Sequence, residues 1–306
     1  MKKILITPRS LTKSGHPALE KLSETGYQLV FSTPGKQPSE DEIIKLLPGC
    51  VGYLAGVEKI TSKVLESAKD LKVISRNGTG IDNIDLESAK RLNIRICNTE
   101  GANARGVAEL TIGLMFSLVR SIPYQDEKMK QERWERRKGI ELENSTLGLV
   151  GCGEIGRYVA ILGLGLGMNV LAHRRNPDPS FLPGENFHYV SFDELLEKSD
   201  IISLHRPGTP SGEPVINRQT LNRMKKGVYI INTARASLLD ESAVLRALEN
   251  NHIAGVATDV YPEEPPKDYH LLKHDRVTAT PHIGGFTKES ILRATRDAVD
   301  NLLKYL

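Results

Sequence analysis

Residues 144–175, NSTLGLVGCGEIGRYVAILGLGLGMNVLAHRR, decide the fold of this chain. The short apolar run Leu147–Val150 is typical of a fully buried strand, and Gly151, Gly153 and Gly156 follow it in G-x-G-x-x-G spacing. A helical pattern begins at once, and a second apolar run comes after it. A strand, a tight turn, a helix and a strand within about 30 residues form the βαβ unit that holds a dinucleotide pyrophosphate.

Each glycine of this run has its own physical task. Gly151 permits the sharp turn, Gly153 lets the backbone approach the phosphates, and Gly156 lets helix and strand pack closely. The pyrophosphate then meets unpaired N–H groups at the positive end of a helix dipole. A glycine cluster can also mark a plain turn, but the flanking strand and helix favour a dinucleotide site, in which we also expect Glu154 and Ile155.

The second predicted strand, Met168–Ala172, is followed by the basic triplet His173-Arg174-Arg175. An NAD site normally has an Asp or Glu here to accept hydrogen bonds from the ribose hydroxyls. In this chain the first carboxylate after the strand is Asp178. The paired guanidiniums of the triplet are instead suited to bind a 2′-phosphate with charge-assisted bonds. A solvated basic turn is the alternative. Because the triplet lies where the ribose must bind, we expect NADP(H) to be preferred, with NAD(H) possible.

Composition limits the class of protein. The chain has 306 residues, of which 39% are hydrophobic and 26% charged, which excludes disorder and suggests two domains. A net charge of +3 is too small to indicate nucleic-acid binding. The N-terminus MKKILITPRS predicts a strand rather than a signal peptide, and no segment reaches the ~20 apolar residues of a membrane span. We therefore expect a cytoplasmic protein with no membrane partner.

The cysteines are Cys50, Cys97 and Cys152, an odd number at wide spacing. Neither a disulfide framework nor a zinc site is indicated, and we expect no metal. Cys152 lies within the glycine-rich turn, where a helix N-terminus can lower the pKa of a thiol and make it sensitive to oxidants. Tolerance of a small residue is the simpler interpretation.

Strand and helix patterns alternate through residues 1–99 and again after 144, which indicates parallel sheets. Predicted helices include His16–Thr25, an evenly apolar one over Arg105–Arg120 and an amphipathic one over Lys288–Leu306, and a strand edge and helix are predicted over Val190–Glu197. The last helix is expected to return to the first domain. The predicted domains are 1–99 plus 287–306, and 100–286, both of the α/β class.

Five blocks of the sequence resemble the D-isomer-specific 2-hydroxyacid dehydrogenase family over essentially the whole chain. They are SRNGTGIDNIDLESA (75–89), GLVGCGEIGR (148–157), INTARASLLDESAV (231–244), VATDVYPEEPP (256–266) and TPHIGGFT (280–287). The first block and WERRKGIELENSTLG (134–148) are especially similar to phosphoglycerate dehydrogenases. The resemblance implies two Rossmann-like doubly wound parallel-sheet domains, a flavodoxin-like substrate-binding one and a dinucleotide-binding one, with an active-site cleft between them.

The resemblance assigns three catalytic residues. Arg235 matches the arginine that binds the substrate carboxylate and carbonyl oxygen, His282 the catalytic histidine, and Glu264 the carboxylate that hydrogen-bonds this histidine. Reduction of a 2-oxo acid needs a proton donor, and an imidazole serves best near neutral pH. A neighbouring carboxylate favours the charged imidazolium, and a guanidinium polarises the carbonyl. Glu263 is the alternative to Glu264, but the family pattern puts the acid directly before proline.

Further cofactor contacts are expected from strand ends and from the resemblance. His205, Arg206 and Pro207 follow a predicted strand, and His205 is expected to line the cofactor rather than react. On the nicotinamide side the resemblance places Thr233, Ala234, Asp259, Gly284 and Gly285. Asp259 is expected to accept a hydrogen bond from the carboxamide, and the two glycines allow the backbone to approach the ring.

The loop Asn77-Gly78-Thr79-Gly80 follows a predicted strand and presents successive backbone N–H groups. Such a nest can bind the substrate carboxylate, although a glycine-rich loop can also be only a turn. The resemblance to the substrate loop of the family favours binding by Asn77, Gly78 and Thr79. Arg76 is expected to help if the substrate carries a distal anion.

Two departures from the family pattern bear on the substrate. Ala55 stands where phosphoglycerate dehydrogenases usually have a phosphate-binding arginine, and Ala236-Ser237 replaces a pair of glycines. We therefore expect an NADP(H)-preferring reductase of a small 2-oxo acid such as glyoxylate or hydroxypyruvate, and the resemblance implies a homodimer through residues 101–140. The alternatives are an NAD-dependent D-3-phosphoglycerate dehydrogenase and a non-catalytic, nucleotide-sensing regulator of the same fold.

Overall fold

The computed structural model describes residues 2–209 and 211–306. The chain divides into two compact units, one made of Met1–Asn103 with Lys288–Leu306 and the other of Ala104–Thr287. The last helix, Lys288–Tyr305, therefore belongs to the first unit, where its buried side chains include Ala298, Val299 and Leu302.

The first unit is built on a five-stranded parallel sheet of order β2-β1-β3-β4-β5. Its strands are β1 (Lys3–Ile6), β2 (Gln28–Phe31), β3 (Cys50–Ala55), β4 (Val73–Arg76) and β5 (Arg95–Cys97). Its other helices are α1 (Arg9–Ser14), α2 (Glu20–Glu24), α3 (Glu40–Leu46), α4 (Ser62–Ser67) and α5 (Leu86–Arg91). The apolar run of β3 is buried throughout, which is why this strand lies in the middle of the sheet.

Polar side chains cap the N-termini of several of these helices. Ser39, Thr61 and Asp85 each accept a hydrogen bond from a backbone N–H of the first turn of α3, α4 and α5. The single helix predicted over His16–Thr25 is wrong in detail, because His16 and Pro17 begin a short 3-10 turn, Pro17–Leu19, before α2.

The second unit contains a seven-stranded parallel sheet of order β12-β11-β10-β9-β6-β7-β8. Its strands are β6 (Thr146–Val150), β7 (Asn169–His173), β8 (Phe187–Tyr189), β9 (Ile201–Leu204), β10 (Val228–Asn232), β11 (Ile253–Thr258) and β12 (Val277–Ala279). Its helices are α6 (Ala104–Val119), α7 (Ile122–Lys130), α8 (Glu154–Gly165), α9 (Phe192–Lys198), α10 (Arg218–Leu221) and α11 (Glu241–Glu249); the last helix of the chain is α12. The two parallel-sheet α/β units confirm the predicted fold class.

The order of the strands fixes where a ligand can bind in this unit. From β6 the chain adds β7 and β8 on one side, then crosses to add β9, β10, β11 and β12 on the other. The switch point therefore lies between β6 and β9, whose carboxyl ends are Val150 and Leu204. Ligands of open parallel sheets bind outside the carboxyl ends of the strands at such a point.

One predicted boundary is displaced. A strand edge running into a helix was predicted over Val190–Glu197, but strand β8 ends at Tyr189 and α9 begins at Phe192. Ser191 caps α9 by accepting from the N–H of Glu194, so this serine rather than the apolar pattern sets the start of the helix.

Helix α6 contributes nine buried residues to the second unit and packs against α8. In the described part of the chain, no single helix has both the length and the apolar composition of a membrane span. Helices α6 and α7 meet that test only when taken together, and the pair is bent by 62°.

Candidate active site

The glycine-rich turn after β6 is shaped by close backbone contacts. Gly151 has a φ of +106°, and a Cβ built on it would lie 2.3 Å from the carbonyl oxygen of His205. A Cβ on Gly156 would lie 2.4 Å from the carbonyl oxygen of Gly151. Both glycines are therefore required by the protein backbone, because carbonyl groups cannot move aside as side chains do.

Gly153 differs from the other two. A Cβ built on it meets no atom of the described residues within 4 Å, so no protein neighbour requires glycine at this position. Gly153 is also the N-cap residue of α8, and as a glycine it has no side chain to accept from the N–H groups of the first turn. The N–H groups of Glu154, Ile155 and Gly156 in the first helical turn are thus suited to a phosphate, and the turn fits a dinucleotide.

The three residues of the basic triplet after β7 lie in different environments. His173 lies with its Nδ1 3.2 Å from the carbonyl oxygen of Val190, and its ring packs on Phe192. The Nη1 of Arg174 donates to the carbonyl of Cys152 at 3.2 Å, which brings this guanidinium to the glycine-rich turn. Arg175 is exposed. Arg174 and Arg175 are therefore the residues of the triplet that could hold a phosphate beside this turn.

The first carboxylate after β7 is already engaged. Asp178 accepts from the backbone N–H and hydroxyl of Ser180 and forms an ion pair with Arg157 at 2.6 Å. The Ser180 hydrogen bonds, followed by the Arg157 guanidinium, lower the pKa of Asp178 to about 2. These contacts bind Asp178 to α8 and to its own loop rather than presenting it as a partner for ribose hydroxyls.

The structure contradicts the alternative of an oxidant-sensitive Cys152 with a lowered thiol pKa and agrees with the simpler interpretation of a tolerated small residue. Cys152 is fully buried, and burial raises the pKa of its thiol because the thiolate would lose its hydration. The hydroxyl of Tyr189 donates to its Sγ at 3.7 Å. Desolvation outweighs the helix N-terminus, so Cys152 is a packing residue. All three cysteines are free, and no group of three metal-binding side chains occurs within residues 2–209 and 211–306.

His205 follows β9 and is buried, with its Nε2 2.8 Å from the hydroxyl oxygen of Ser203. Burial lowers the pKa of His205 to about 3, so its imidazole is neutral at physiological pH. A neutral imidazole cannot serve as a proton donor to a substrate in the way an imidazolium can. Arg206 is partly exposed and donates from Nε to the carbonyl of Pro207 at 3.3 Å.

The loop after β10 carries Thr233, Ala234 and Arg235. Asn232, the last residue of β10, is fully buried; its amide donates to the carbonyl of Arg235 at 2.9 Å, and its oxygen accepts from the N–H of Ala234 at 3.1 Å. The hydroxyl of Thr233 lies 3.0 Å from that of Thr111 in α6. The sequence analysis missed Asn232, although a polar residue at the end of an apolar strand was the available signal.

His282 and Glu264 form the central pair of the site. The Nδ1 of His282 lies 2.8 Å from each carboxylate oxygen of Glu264. The side chain of His282 is about half exposed, at 52%, so its other ring nitrogen remains accessible. Glu263 instead forms an ion pair with Lys267 at 3.1 Å. With a carboxylate at Nδ1, this nitrogen carries the proton, and Nε2 faces the surroundings.

Asp259 holds the segment that carries His282. Its buried carboxylate accepts from the hydroxyl of Thr280 at 2.6 Å and from the N–H groups of Ile283 and Gly284 at 2.8 Å each. Both oxygens are used in these contacts. A Cβ on Gly284 would lie 3.1 Å from one of them, which explains this glycine; Gly285 follows in the same segment. Asp259 thus positions residues 280–284.

Tyr261 adds a second connection between these segments. Its hydroxyl donates to the carbonyl of Thr280 at 2.7 Å, and its backbone N–H donates to Glu264 at 3.3 Å. Burial raises the pKa of Tyr261 to about 12, so the phenol keeps its proton and remains a donor. The sequence analysis did not identify this residue.

The predicted substrate loop lies at the carboxyl end of β4 in the first unit. Asn77 donates its N–H to the carbonyl of Ala55 at 2.9 Å, and Arg76 donates from Nη1 to the carbonyl of Asn77. Gly78 has a φ of +150°, and a Cβ on it would lie 2.6 Å from that Nη1. Thr79 is held by Asn98, whose amide donates to its carbonyl at 2.8 Å.

A doubly wound sheet with a glycine-rich turn at its switch point, together with a histidine–carboxylate pair, defines a dinucleotide-dependent oxidoreductase. The comparisons with known proteins agree. Residues 112–284 match the family described as D-isomer specific 2-hydroxyacid dehydrogenase, NAD binding domain. The chain is 40% identical to the hydroxypyruvate reductase of Thermotoga maritima over 273 residues, which cover 87% of this chain and 88% of that protein.

Two further proteins that are similar to this chain are named for other activities. The D-3-phosphoglycerate dehydrogenase of Pongo abelii is 39% identical over 272 residues, covering 88% of this chain, which spans only 50% of that protein. The solved structure of a glyoxylate reductase from Paecilomyes thermophila has a TM-score of 0.88 at 29% identity and covers 99% of this chain and 95% of its own. The chain belongs to the D-isomer-specific 2-hydroxyacid dehydrogenase family, which confirms the resemblance, and it is an oxidoreductase that uses a nicotinamide cofactor.

The glycine contacts predict a contrast within helix α8. Gly156→Ala should destabilise the protein by about 1–3 kcal/mol, because its Cβ would be forced against the Gly151 carbonyl. Gly165→Ala makes the same change at the end of the helix, where a Cβ meets nothing within 4 Å, and should be neutral or stabilising by up to about 1 kcal/mol. Urea unfolding measures both, and equal midpoints for the two variants would contradict this account of the turn.

Proposed function

We propose that this protein is an NADP(H)-preferring D-2-hydroxyacid dehydrogenase that works mainly as a reductase of small 2-oxo acids, with glyoxylate and hydroxypyruvate as leading substrates. The observation that carries the proposal is the hydrogen bonding of His282 Nδ1 to both oxygens of Glu264 at 2.8 Å. This contact orients the imidazole and leaves Nε2 as the nitrogen that exchanges a proton.

In the proposed reduction, His282 gives the proton on Nε2 to the substrate oxygen, and Glu264 stabilises the imidazolium before that transfer. In the oxidation direction the same nitrogen takes the proton back. A bound nicotinamide supplies or accepts the hydride. Asp259 and Tyr261 contribute by holding the 280–284 segment, so that the imidazole does not need to reorient at each turnover.

Arg235 is proposed to bind the substrate carboxylate and polarise the carbonyl. Its planar guanidinium matches the geometry of a 2-oxo acid. Arg235 lies three residues after the end of β10, in the loop whose backbone Asn232 fixes. In the first unit, the loop of Asn77, Gly78 and Thr79 is proposed to bind the substrate carboxylate, with Arg76 beside it; the N–H groups of Asn77 and Gly78 already donate to the carbonyls of Ala55 and Arg76.

The proposed NADP(H) preference rests on charge at the end of β7. Arg174 reaches the glycine-rich turn through its bond to the Cys152 carbonyl, and Arg175 is exposed beside it. Asp178 is occupied by Arg157 and Ser180. A 2′-phosphate would find cations here, whereas the ribose hydroxyls of NAD would lack the usual carboxylate acceptor.

The second candidate is an NAD-dependent D-3-phosphoglycerate dehydrogenase. The similarity to such an enzyme over 88% of this chain favours it. Ala55 speaks against it, because this buried alanine stands where the family motif has an arginine for the phosphate. We propose a homodimer for either enzyme. Trp134, in the 101–140 region, is 78% exposed and would then be covered by the partner.

The decisive measurement is steady-state reduction of glyoxylate, hydroxypyruvate, pyruvate and phosphohydroxypyruvate with NADPH and NADH side by side. We expect the highest kcat/KM with NADPH and a small oxo acid that carries no phosphate. A preference for NADH with phosphohydroxypyruvate would instead favour the phosphoglycerate dehydrogenase. Absence of turnover with all four acids would favour the non-catalytic regulator.

Loss of the imidazole should abolish most of the activity. His282→Gln is expected to lower kcat by about 10²–10⁴-fold, the usual contribution of a general acid, with little change in the Kd for NADPH. His188→Gln is the matched control, because His188 is exposed on β8. A kcat within about threefold of the wild type for His282→Gln would remove this residue from the mechanism.

Reversal of charge at Arg174 should change the cofactor preference. Arg174→Asp is expected to lower the ratio of kcat/KM for NADPH over NADH by about 10- to 100-fold, because a charge-assisted phosphate contact is replaced by repulsion. Arg218→Asp reverses an exposed arginine of the same unit at the start of α10 and should leave the ratio unchanged. An unaltered ratio in Arg174→Asp would contradict the proposed phosphate site.

A further inference from the structure

A buried carboxylate, unused in the proposed mechanism, lies at the carboxyl edge of the first unit's sheet. Glu58 follows β3 by three residues and is only 2% exposed. Charged side chains are seldom buried to this extent unless they are paired or hydrogen-bonded. The neighbours of Glu58 therefore decide what its carboxylate can do.

Three donors converge on one oxygen of this carboxylate. Oε1 accepts from the hydroxyl of Tyr53 at 2.8 Å, from the N–H of Gly56 at 2.8 Å and from the hydroxyl of Thr7. Burial and the charge of Glu58 raise the pKa of Tyr53 well above its usual value, so the phenol stays protonated and continues to donate. The donors are all neutral groups, so they compensate for the loss of hydration without cancelling the negative charge.

This carboxylate lies next to the proposed substrate loop. Gly56 donates to Glu58, and the carbonyl on the other side of the same peptide, that of Ala55, accepts from the N–H of Asn77 at 2.9 Å. Two hydrogen bonds and one peptide unit thus separate Glu58 Oε1 from the Asn77 N–H, a distance within about 8 Å. The amide of Asn83 also donates to the Glu58 carbonyl at 2.6 Å, which ties the two loops together.

The second oxygen, Oε2, fills the space over Gly56. A Cβ on Gly56 would lie 2.6 Å from it. The carboxyl group of Glu58 therefore fills the space directly after Ala55, and its Oε1 lies no farther from the Asn77 N–H than the Debye length of about 8 Å at physiological ionic strength. Glu58 repels an anion bound at this edge and so opposes the attraction of the Arg76 guanidinium, whose Nη1 lies on the Asn77 carbonyl, whereas a neutral group is affected by neither charge.

We propose that Glu58 is a specificity-determining residue that selects 2-oxo acids with an uncharged distal group and rejects those with a distal phosphate. The proposal rests on the proposed function, because it takes Asn77–Thr79 as the loop that binds the substrate carboxylate. That carboxylate is common to all substrates of the class, so its own repulsion by Glu58 cancels when two of them are compared. The distal group alone then determines the discrimination.

A purely structural role predicts a different outcome. If the Glu58 side chain only holds Tyr53, Thr7 and Gly56 in place, Glu58→Gln retains an oxygen acceptor for these three donors and changes stability but not substrate choice. If the charge selects the substrate, the same variant changes the substrate ratio. The ratio of kcat/KM for hydroxypyruvate over phosphohydroxypyruvate therefore separates the two roles.

We expect Glu58→Gln to lower this ratio by about tenfold, through a gain in kcat/KM for phosphohydroxypyruvate, while kcat/KM for hydroxypyruvate stays within about threefold of the wild type. Glu24→Gln removes the same charge from an exposed site at the end of α2 and should leave the ratio unchanged. An unchanged ratio in Glu58→Gln, with hydroxypyruvate still reduced, would overturn the role of Glu58 and leave the proposed function standing.

A second measurement needs only the wild-type protein and no turnover. Calorimetric titration of the NADPH-loaded protein with D-glycerate and with D-3-phosphoglycerate, neither of which can react with the reduced cofactor, compares the same distal groups as ligands. We expect D-3-phosphoglycerate to bind at least about tenfold more weakly, and equal or tighter binding would overturn the proposal even if Glu58→Gln fails to fold. Failure of the proposed function has a separate signature, the absence of turnover with every 2-oxo acid.

Discussion

The position of helix α8 in the second unit depends on how closely the turn after β6 approaches the end of β9. The Gly151 backbone lies against the His205 carbonyl, with no room for a side chain. Gly156 likewise lies against the Gly151 carbonyl with no room for a Cβ. These contacts bring the start of α8 to the point where the strand order reverses, so the helix N-terminus faces the carboxyl edge of the sheet. A looser turn would move the helix N–H groups away from the position where a phosphate meets both of them and the helix dipole.

The same edge of this sheet carries the groups proposed for catalysis, and each is held by a buried polar side chain. Asn232 fixes the Arg235 loop, and Asp259 fixes the segment with His282. Both are buried and engaged in hydrogen bonds of 2.6–3.1 Å. Groups that solvent reaches wholly or in part, His282 and Arg235, are therefore held by buried residues, so they can be accessible and still keep a fixed geometry.

Sequence reasoning succeeded where the signal was local. The glycine spacing, the apolar runs of β6 and β7 and the amphipathic last helix are each readable within about 20 residues, because they reflect backbone sterics and periodicity. It failed where partners are distant in the chain. It did not find the bonds of Asp259, whose oxygens hold residues 21 to 25 positions later; the expected contact of Asp259 with a cofactor amide stays a prediction. Glu58 gave no signal, since its burial depends on Thr7, 51 positions earlier.

The anchoring of residues 280–284 by Asp259 has a consequence for the entropy of catalysis. The backbone N–H groups of Ile283 and Gly284 and the hydroxyl of Thr280 are ordered by bonds within the protein. The conformational freedom of this segment is thus lost once, when the chain folds, and not again each time a substrate binds. Binding energy from the substrate is then available for distinguishing the transition state from the ground state.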